Sequence, residues 1–455
     1  MPQFISLVRR LVLFSILLSL QLTSGRAHGE IIAKAGPDED VKQFRFNDLE
    51  ARLRAMPAGP EHDYFAGVLA NAENHVAESI QLLNGALPNL RTSRLDRAAI
   101  ALQTLADDYS KSFRYGEAAR VDNDLLTNFV SQLTPEQLKG TKDDAEIMQI
   151  LRDAPAQTIS WDGPTKLKTE RNPINSLNAD LTVNGVQGPW LLDTGANLSL
   201  VTKSFAERLG LKPLPGVAHT QAGLTGIQNE LRVALLPTLR MGGARLHNVV
   251  IMILDDASMN ISLGKQSYQI NAVIGYPVFQ ALGSINFFHA GEFVAGSASP
   301  ATGIAAKMYM KGLSPIIICD VEGHELPFTF DTGASGTNLY VSYSRLFRSE
   351  SKNWKKGKEK DGGAGGIMKR EIYLQPELKL GIGDKTVVLK TVSIYTSGTG
   401  TGTDELYGNI GQDVPVGFSS FTLDFTAMTF SLGDPLAPAQ SATSPKSKQD
   451  AGVKR

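Results

Sequence analysis

Cysteine is almost absent from this 455-residue sequence, which contains only Cys319. An internal disulfide cannot form, and a cysteine-based zinc site cannot be built. Cys319 ends a short apolar run at residues 316–319, which predicts a buried core position. The seven histidines are scattered, and His324-Glu325 lacks the second histidine of a zinc metalloprotease motif. We therefore expect neither a metal site nor any other cofactor.

Charge of one sign is not in excess either. The sequence has 45 Lys and Arg against 46 Asp and Glu, so the formal net charge is −1. This balance excludes the global positive field typical of nucleic-acid-binding proteins. Residues 348–360 are rich in Lys and Glu, which predicts a solvated surface loop without nucleic-acid binding. The glycine-rich residues 398–402 lack the Gly-Lys-Ser/Thr ending of a phosphate-binding loop.

Long apolar runs are missing after the N-terminus, so no later segment reaches the ~20 residues that a membrane-spanning helix needs. The apolar run at residues 11–22 follows Arg9 and Arg10 and precedes small residues, which is the order of a secretory signal peptide. No cysteine follows it, which excludes a lipoprotein anchor. We expect residues 1–29 to be a signal peptide and the protein to be periplasmic or secreted, or membrane-anchored if the signal stays uncleaved.

Residues 40–157 have the apolar spacing of amphipathic helices. One stripe, spaced at helical intervals, consists of Val76, Ile80, Leu83 and Leu87. Pro88 is expected to interrupt this pattern, and Thr134 followed by Pro135 is expected to start a later helix.

The helical region loosely resembles a tetratricopeptide array. Residues 105–109 and 115–119 together resemble half of one repeat. Ala77 and Ala118 are farther apart than the ~34 residues of that repeat, so we predict only a helical hairpin array. It could be a docking surface for a protein partner or a plain cover for one side of a catalytic unit, and a propeptide is a third hypothesis.

From residue 158 the pattern changes to short alternating strands with glycine-rich turns, and the last residues, 434–455, have the composition of a disordered tail. The strand region contains an internal duplication. Residues 183–185 (VNG) precede residues 193–196 (DTGA) at the same spacing as residues 321–323 (VEG) precede residues 331–334 (DTGA). An Ile-Gly pair follows each aspartate at nearly equal distance, at residues 274–275 and 410–411. We call residues 158–298 the first copy and residues 299–433 the second copy.

These motifs resemble a known family. Each copy resembles a retropepsin-type aspartic protease lobe, and residues 160–433 together are similar to a two-lobed, pepsin-like chain. The resemblance implies a bilobal all-β acid-protease fold after the helical array, with one catalytic aspartate from each lobe, Asp193 and Asp331. It also implies that residues of the two aspartate turns support this pair, with the threonines hydrogen-bonded beneath it: Thr194, Gly195, Thr332 and Gly333.

The chemistry of paired carboxylates favours the same interpretation. Peptide hydrolysis without a metal needs a base that activates water and an acid that protonates the leaving group. Two carboxylates a few ångströms apart share one proton and can do both. The glycine after each Asp-Thr allows the backbone to approach closely at the turn.

Two glycine-rich stretches, one in each copy, are candidates for flaps over the substrate because glycine lets a hairpin tip bend. The candidate residues are Gly223, Thr225 and Gly226 in the first copy and Gly363, Ala364 and Gly365 in the second. Ordinary turns are the alternative. One position departs from the family pattern, since polar Asn409 precedes Ile410 where an apolar residue is usual.

The sequence thus predicts an exported aspartic endopeptidase acting on peptides or proteins. The alternatives are a non-catalytic peptide-binding protein of the same fold, and a helical adaptor whose β region is only a scaffold. Both aspartates and both glycines are present, which favours the enzyme.

Overall fold

The computed structural model describes residues 36–221, 228–263, 266–296, 303–363, 366–398 and 405–436. The expected signal peptide and most of the expected tail lie outside these residues. Among the residues described, no helix is both long and apolar enough to cross a membrane. The N-terminal part of the described chain forms helices α1 (Pro37–Lys42), α2 (Phe46–Leu53), α3 (Pro60–Ala72), α4 (Val76–Ser93), α5 (Leu95–Lys111), α6 (Tyr115–Asn128) and α7 (Pro135–Leu151).

Local signals set the ends of these helices. Before α7, the Thr134 hydroxyl accepts a hydrogen bond from the Gln137 N–H, and the Gln137 side chain accepts one from the Thr134 N–H. Asn74 and Phe113 adopt φ angles of 61° and 59° in the turns that follow α3 and α5. These left-handed residues let the chain reverse tightly, so α3–α4 and α5–α6 form hairpins. The start of α7 at Pro135 is confirmed, whereas the resemblance to tetratricopeptide repeats stays a prediction.

The prediction that Pro88 interrupts the helix is wrong, because α4 continues through Pro88 to Ser93. Proline removes one backbone hydrogen bond and crowds the preceding turn. Here the residues on either side hold the helix in place, since Leu83, Ala86 and Leu90 are all buried in the helical core. Tertiary packing therefore outweighs the local signal.

One carboxyl group in the helical core makes its stability depend on pH. Asp122 of α6 is 3% exposed. Burial raises the pKa of Asp122 from 3.8 to about 8, and the negative charges of Asp144 and Asp107 add to the shift. The folded protein therefore holds a proton there that the unfolded chain releases above pH ~4. The free energy of unfolding therefore falls as the pH rises from about 4 towards 8.

We expect Asp122→Asn to raise the free energy of unfolding at pH 8 and to change it little at pH 4. The amide stays neutral, so the loss of about 1.4 kcal/mol per pH unit between the two pKa values disappears. Urea denaturation at both pH values measures this. Asp153→Asn, at a side chain that is 87% exposed, is the control. Equal destabilisation by Asp122→Asn at both pH values would contradict the prediction.

The remaining described residues form strands and three further α-helices, together with short 3-10 turns. The helices are α8 (Lys203–Arg208), α9 (Tyr276–Leu282) and α10 (Val341–Leu346). The strands of the first copy are β1 (Thr158–Trp161), β2 (Thr165–Arg171), β3 (Leu177–Val183), β4 (Val186–Leu192), β5 (Ser199–Thr202), β6 (Ala218–Gln221), β7 (Gln228–Met241), β8 (Ala244–Leu254), β9 (Asn260–Leu263), β10 (Gln266–Gln269), β11 (Ala272–Ile274), β12 (Ser284–Phe288) and β13 (Glu292–Ala295). Those of the second copy are β14 (Ala306–Lys311), β15 (Ser314–Val321), β16 (His324–Phe330), β17 (Asn338–Leu339), β18 (Lys355–Gly363), β19 (Gly366–Ile382), β20 (Lys385–Tyr395), β21 (Gly408–Ile410), β22 (Ser420–Asp424) and β23 (Thr429–Leu432).

The two copies share one strand order. In the first copy, neighbouring strands follow the order β3-β4-β11-β5-β8-β7. In the second, the order is β15-β16-β21-β17-β20-β19, with the same alternation of parallel and antiparallel pairs. Each aspartate directly follows a central strand of its sheet, β4 or β16. The sequence duplication is therefore also a duplication of topology.

A third sheet joins the copies. Its six strands run antiparallel in the order β2-β13-β12-β22-β23-β14, three from each copy. At its centre β12 pairs with β22, and the Phe287 and Phe421 rings stack at 4.7 Å between centroids. This sheet fixes the two aspartate-bearing sheets relative to each other.

The helices pack against the β region. The Phe46 and Tyr309 rings lie 4.7 Å apart, and the Asn74 side chain donates a hydrogen bond of 3.2 Å to the Phe425 carbonyl. One hydrophobic cluster combines buried helical residues with buried residues of both copies, among them Leu191, Leu198, Leu200, Leu254, Val273, Ile316 and Tyr340. The predicted fold class, helices followed by an all-β protease-like region, is confirmed. Cys319 is buried, as expected.

The prediction of a surface loop at residues 348–360 is wrong, because β18 begins at Lys355 and pairs along its length with β19. Trp354 anchors this strand, since its ring lies 6.1 Å from that of Tyr343 and 6.2 Å from that of Tyr373. The Lys and Glu side chains are compatible with a strand that has one face in solvent. A loop has the same composition, so composition alone does not distinguish the two.

Candidate active site

The two Asp-Thr-Gly-Ala motifs form matching turns. The Asp193 N–H donates to the Ile274 carbonyl at 3.1 Å, and the Asp331 N–H donates to the Ile410 carbonyl at 3.0 Å. Each turn also directs its own carboxylate. The Gly195 N–H donates to Asp193 Oδ1 at 2.9 Å, and the Gly333 N–H donates to Asp331 Oδ1 at 2.7 Å. Neighbouring strands and turn amides thus hold both carboxylates in one orientation.

The two carboxylates face each other across the copies. A Cβ atom placed on Gly195 would lie 2.5 Å from Asp331 Cγ, and one placed on Gly333 would lie 2.5 Å from Asp193 Oδ2. No real Cβ tolerates such contacts, so only glycine fits after each Asp-Thr. The sequence predicted the glycine for its backbone freedom, whereas the structure shows that it leaves room for the opposite carboxylate.

This proximity changes the acidity of the pair. Burial raises the pKa of Asp193 well above its usual range, and the charge of Asp331 and a hydrogen bond between the two side chains raise it further. The backbone N–H groups of Gly195 and Ala196 act in the opposite direction. Because two adjacent carboxylates resist double ionisation, the arrangement favours a state in which Asp193 keeps its proton.

The threonines after the aspartates cross-link the two turns. The Thr194 N–H donates to Thr332 Oγ1 at 2.9 Å, and the Thr332 N–H donates to Thr194 Oγ1 at 3.1 Å. Each hydroxyl then donates to the strand of the other copy, Thr194 to the Phe330 carbonyl at 3.1 Å and Thr332 to the Leu192 carbonyl at 2.7 Å. Both threonines are buried. The hydrogen bonds expected beneath the pair are present.

Sequence reasoning missed several residues that support the turns. Ser199 Oγ accepts from the Gly275 N–H at 3.0 Å, and Thr337 Oγ1 accepts from the Gly411 N–H at 3.2 Å. These hydroxyls occupy the same position after each aspartate, so the duplication could have revealed them. Ser176 and Gln412 also bind the second turn, through the carbonyls of Gly333 and Thr332. Ser176 precedes Asp193 by as many residues as Ser314 precedes Asp331, so the duplication could have revealed Ser176 as well. Gln412 has no such counterpart, because Tyr276 takes its place in the first copy.

The departure at Asn409 has a local explanation. Asn409 is 5% exposed, and its Oδ1 accepts a hydrogen bond of 2.6 Å from Thr329 Oγ1 on β16. The matching positions of the first copy, Val273 and Leu191, are also directly paired, and both are apolar. The second copy therefore replaces an apolar pair by a hydrogen-bonded polar pair, and its sheet keeps the same register.

Most of the flap candidates cannot be placed. Gly223, Thr225, Gly226, Ala364 and Gly365 lie outside the described residues. In the first copy, Gln221 of β6 pairs with Gln228 of β7 on either side of the undescribed stretch. In the second, Gly363 ends β18 and pairs with Gly366 of β19.

Helix α7 contacts the β6–β7 pair, which we call the first hairpin. Glu146 Oε2 accepts from the His219 N–H at 2.9 Å and lies 2.8 Å from His219 Nδ1. The hydrogen bond to Glu146 is the largest cause of a raised pKa of His219. Gln228 Nε2 donates to Asp143 Oδ1 at 3.0 Å. Helix α7 of the array is thus hydrogen-bonded to both strands of this pair, next to the undescribed residues 222–227.

Comparison with known proteins agrees with the first copy. Residues 179–278 match the family model described as aspartyl protease, a range that includes Asp193 and the first Ile-Gly pair. The chain contains an aspartyl protease-like domain. The resemblance seen in the DTGA motif of the first copy is confirmed to this extent. The match ends before the second copy and does not include the N-terminal helices α1 to α7.

Two basic 7S globulins are among the solved structures that are similar to this chain. The chain is similar to basic 7S globulin from soybean at 10% identity, with 60% of this chain and 95% of that chain covered and a TM-score of 0.39. It is similar to conglutin gamma, a basic 7S globulin from lupine seeds, at 10% identity, with 59% and 94% covered and a TM-score of 0.37. No curated protein sequence matches the chain.

Proposed function

We propose that the protein is an exported aspartic endopeptidase that hydrolyses peptide bonds with Asp193 and Asp331. The observation that carries the proposal is the mutual approach of the two aspartate turns, in which each glycine leaves room for the opposite carboxylate. The cross-linked threonines beneath the pair support it, because they fix the geometry of both carboxylates. The leader sequence supports export.

In the proposed resting state, one proton resides on Asp193 and Asp331 is ionised, in keeping with the raised pKa of Asp193. A water molecule lies between the carboxyl groups and the scissile carbonyl. Asp331 takes a proton from this water as its oxygen bonds to the carbonyl carbon, and Asp193 donates its proton to the carbonyl oxygen. The product is a tetrahedral gem-diol, and the proton has moved from Asp193 to Asp331.

Collapse of the gem-diol restores the pair. Asp331 donates its proton to the amide nitrogen, and Asp193 takes a proton from one hydroxyl of the gem-diol as the C–N bond breaks. A carboxylic acid and an amine leave, and Asp193 is protonated again. Proton transfer of this kind typically contributes ~10²–10⁴ in rate for each positioned group.

The proposed division of the chain follows the sequence prediction. It has a signal peptide at residues 1–29, a helical domain at residues 40–157, lobes at residues 158–298 and 299–433, and a tail at residues 434–455. For the helical domain, the hydrogen bonds from α7 to the first hairpin favour a cover that controls access to the cleft. A docking surface for a protein partner stays a prediction, as does a propeptide.

The controlling role of the helices can be tested on the first hairpin. We expect Glu146→Ala with Asp143→Ala to speed amide hydrogen exchange at residues 218–221 and 228–231 by roughly 10-fold, because hydrogen bonds worth ~0.5–1.5 kcal/mol each are lost. Hydrogen-exchange mass spectrometry measures this. Asp153→Ala on the exposed end beyond α7 is the control. Unchanged exchange in the double variant would show that α7 does not hold the hairpin.

The proposed activity is tested with a random peptide library at several pH values, with and without a statine-type inhibitor. We expect cleavage that the inhibitor abolishes and a bell-shaped pH profile with its maximum on the acidic side. The rate is lost at low pH when no carboxylate is left to act as the base, and at high pH when Asp193 loses its proton. The raised pKa of Asp193 moves this alkaline limb above the range of an ordinary aspartate. Peptide binding without cleavage at any pH would favour the non-catalytic alternative.

A further inference from the structure

We infer that the two sides of the substrate cleft differ chemically. The substrate residue that lies over the first copy is apolar, and the substrate residue that lies over the second copy is polar. This specificity rests on the proposed function and extends it to the substrate class. It comes from comparing equivalent positions beside Asp193 and Asp331 on the two duplicated sheets.

The alternation of side chains along a strand identifies which residues lie on the same face of the sheet as each aspartate. In β4, Trp190 and Leu192 belong to the core of the first copy, so Leu191 points to the opposite face, as does Asp193 two residues later. In β16, Phe328 and Phe330 belong to the core, so Thr329 and Asp331 share the opposite face. Leu191 and Thr329 are therefore equivalent positions next to the two carboxylates.

Strand pairing extends each position into a row across four strands, because paired residues point to the same face. The row of the first copy, which we call the apolar row, is Leu191, Val273, Leu200 and Met252. The row of the second copy, which we call the polar row, is Thr329, Asn409, Asn338 and Ser393. Every apolar side chain in one row is matched by a polar side chain at the same place in the other.

The polar row has unused hydrogen-bonding capacity. Thr329 and Asn409 bind each other through Oγ1 and Oδ1, which leaves the Asn409 Nδ2 group without a hydrogen bond among the described residues. The Asn338 carboxamide likewise has no hydrogen-bond partner in the part of the chain that the structure describes. Neither carboxamide nitrogen is among the fully buried donors without a partner, so both are open to a group from outside the chain. A polar substrate side chain that accepts these N–H groups would gain hydrogen bonds that the row itself does not use.

The apolar row offers the opposite environment. Its four side chains are 2–8% exposed and belong to the hydrophobic cluster that continues into the helical array. A polar substrate group placed against them would lose its water without gaining a hydrogen bond. Since the scissile bond lies between the two carboxylates, its flanking residues extend over opposite copies. One flank therefore meets the apolar row and the other meets the polar row.

The test uses four otherwise identical peptides whose scissile bond is flanked by Leu-Leu, Leu-Gln, Gln-Leu or Gln-Gln. We expect the full-length protein to cleave one mixed peptide with a kcat/KM about 10-fold or more above that of Leu-Leu, because a site built for a polar group rejects an apolar one. Asn338→Leu, and independently Asn409→Val, should reverse this order. Thr386→Val, at an exposed position of β20, is the matched control and should not change it.

The outcomes separate the two proposals. Cleavage with Leu-Leu preferred, or a preference that neither variant alters, overturns the two-sided cleft and leaves the proposed protease standing. If no peptide is cleaved, the protease proposal fails, and calorimetric binding of the same four peptides decides the specificity. Tightest binding of a mixed peptide then supports the two-sided cleft. Tightest binding of Leu-Leu or Gln-Gln, or no binding, overturns it.

Discussion

Asp193→Asn and Asp331→Asn should each abolish peptide cleavage while the fold is retained. Either change removes one of two carboxyl groups that exchange a proton in both steps of the proposed mechanism, and neither copy can supply a substitute. Losing a general acid–base typically costs ~10²–10⁴ in rate. We expect the upper end or beyond, because each carboxyl serves as acid in one step and as base in the other.

The same variants should be at least as stable as the parent at neutral pH. Burial and the charge of Asp331 raise the pKa of Asp193, so the ionised pair is unfavourable in the folded state and an amide relieves it. Thermal unfolding together with kcat/KM on a peptide that the parent cuts measures both effects. Near-parental cleavage by either variant would refute the two-carboxylate mechanism. Loss of both activity and folding would instead assign these aspartates a structural role.

Thr332→Val should reduce both stability and activity. The Thr332 hydroxyl accepts from the Thr194 N–H and donates to the Leu192 carbonyl, and Thr332 is fully buried. Valine leaves both backbone groups without partners, at a cost of roughly 1–3 kcal/mol for each. The aspartate turns then lose the link that holds them together, so we expect cleavage to fall as well.

Thr332→Ser is the matched control, because it keeps the hydroxyl and deletes only a methyl group. Denaturant unfolding should place the serine variant close to the parent and the valine variant a few kcal/mol below it. A valine variant as stable as the parent would mean that the hydrogen bonds of the hydroxyl do not matter at this position. Thr194→Val provides an independent repeat from the other copy.

The sequence predicted the parts of the site that depend on repetition. Asp193 and Asp331, with the residues that follow them, stand at equal spacing from their approach strands, and such regularity is visible without coordinates. Ser199 and Thr337 obey the same regularity, although they were overlooked. Gln412 binds the second turn through the Thr332 carbonyl, and the repeat does not mark it, because Tyr276 takes its place in the first copy.

The same distinction applies to the fold: some elements follow from local sequence signals, and others depend on residues that are distant in the sequence. The capping box at Thr134 is a local signal and correctly marks the start of α7. Pro88 is also a local signal, but the buried faces on either side of it decide that α4 continues. The Lys- and Glu-rich residues before Gly363 form a strand because β19 and the aromatic residues around Trp354 provide its partners. Composition alone cannot reveal those partners.

The hydrogen bonds between Thr194 and Thr332 also affect the order in which parts of the fold form during synthesis. Thr194 and Thr332 are 138 residues apart, so their hydrogen bonds close a very long loop that must form late. Strand β22, which joins the copies through β12, comes later still in the chain. A nascent chain that has emerged only as far as the first copy therefore carries a single aspartate on a turn without its partner. The proposed protease becomes competent only when its last strands have emerged, so an incomplete chain is inactive.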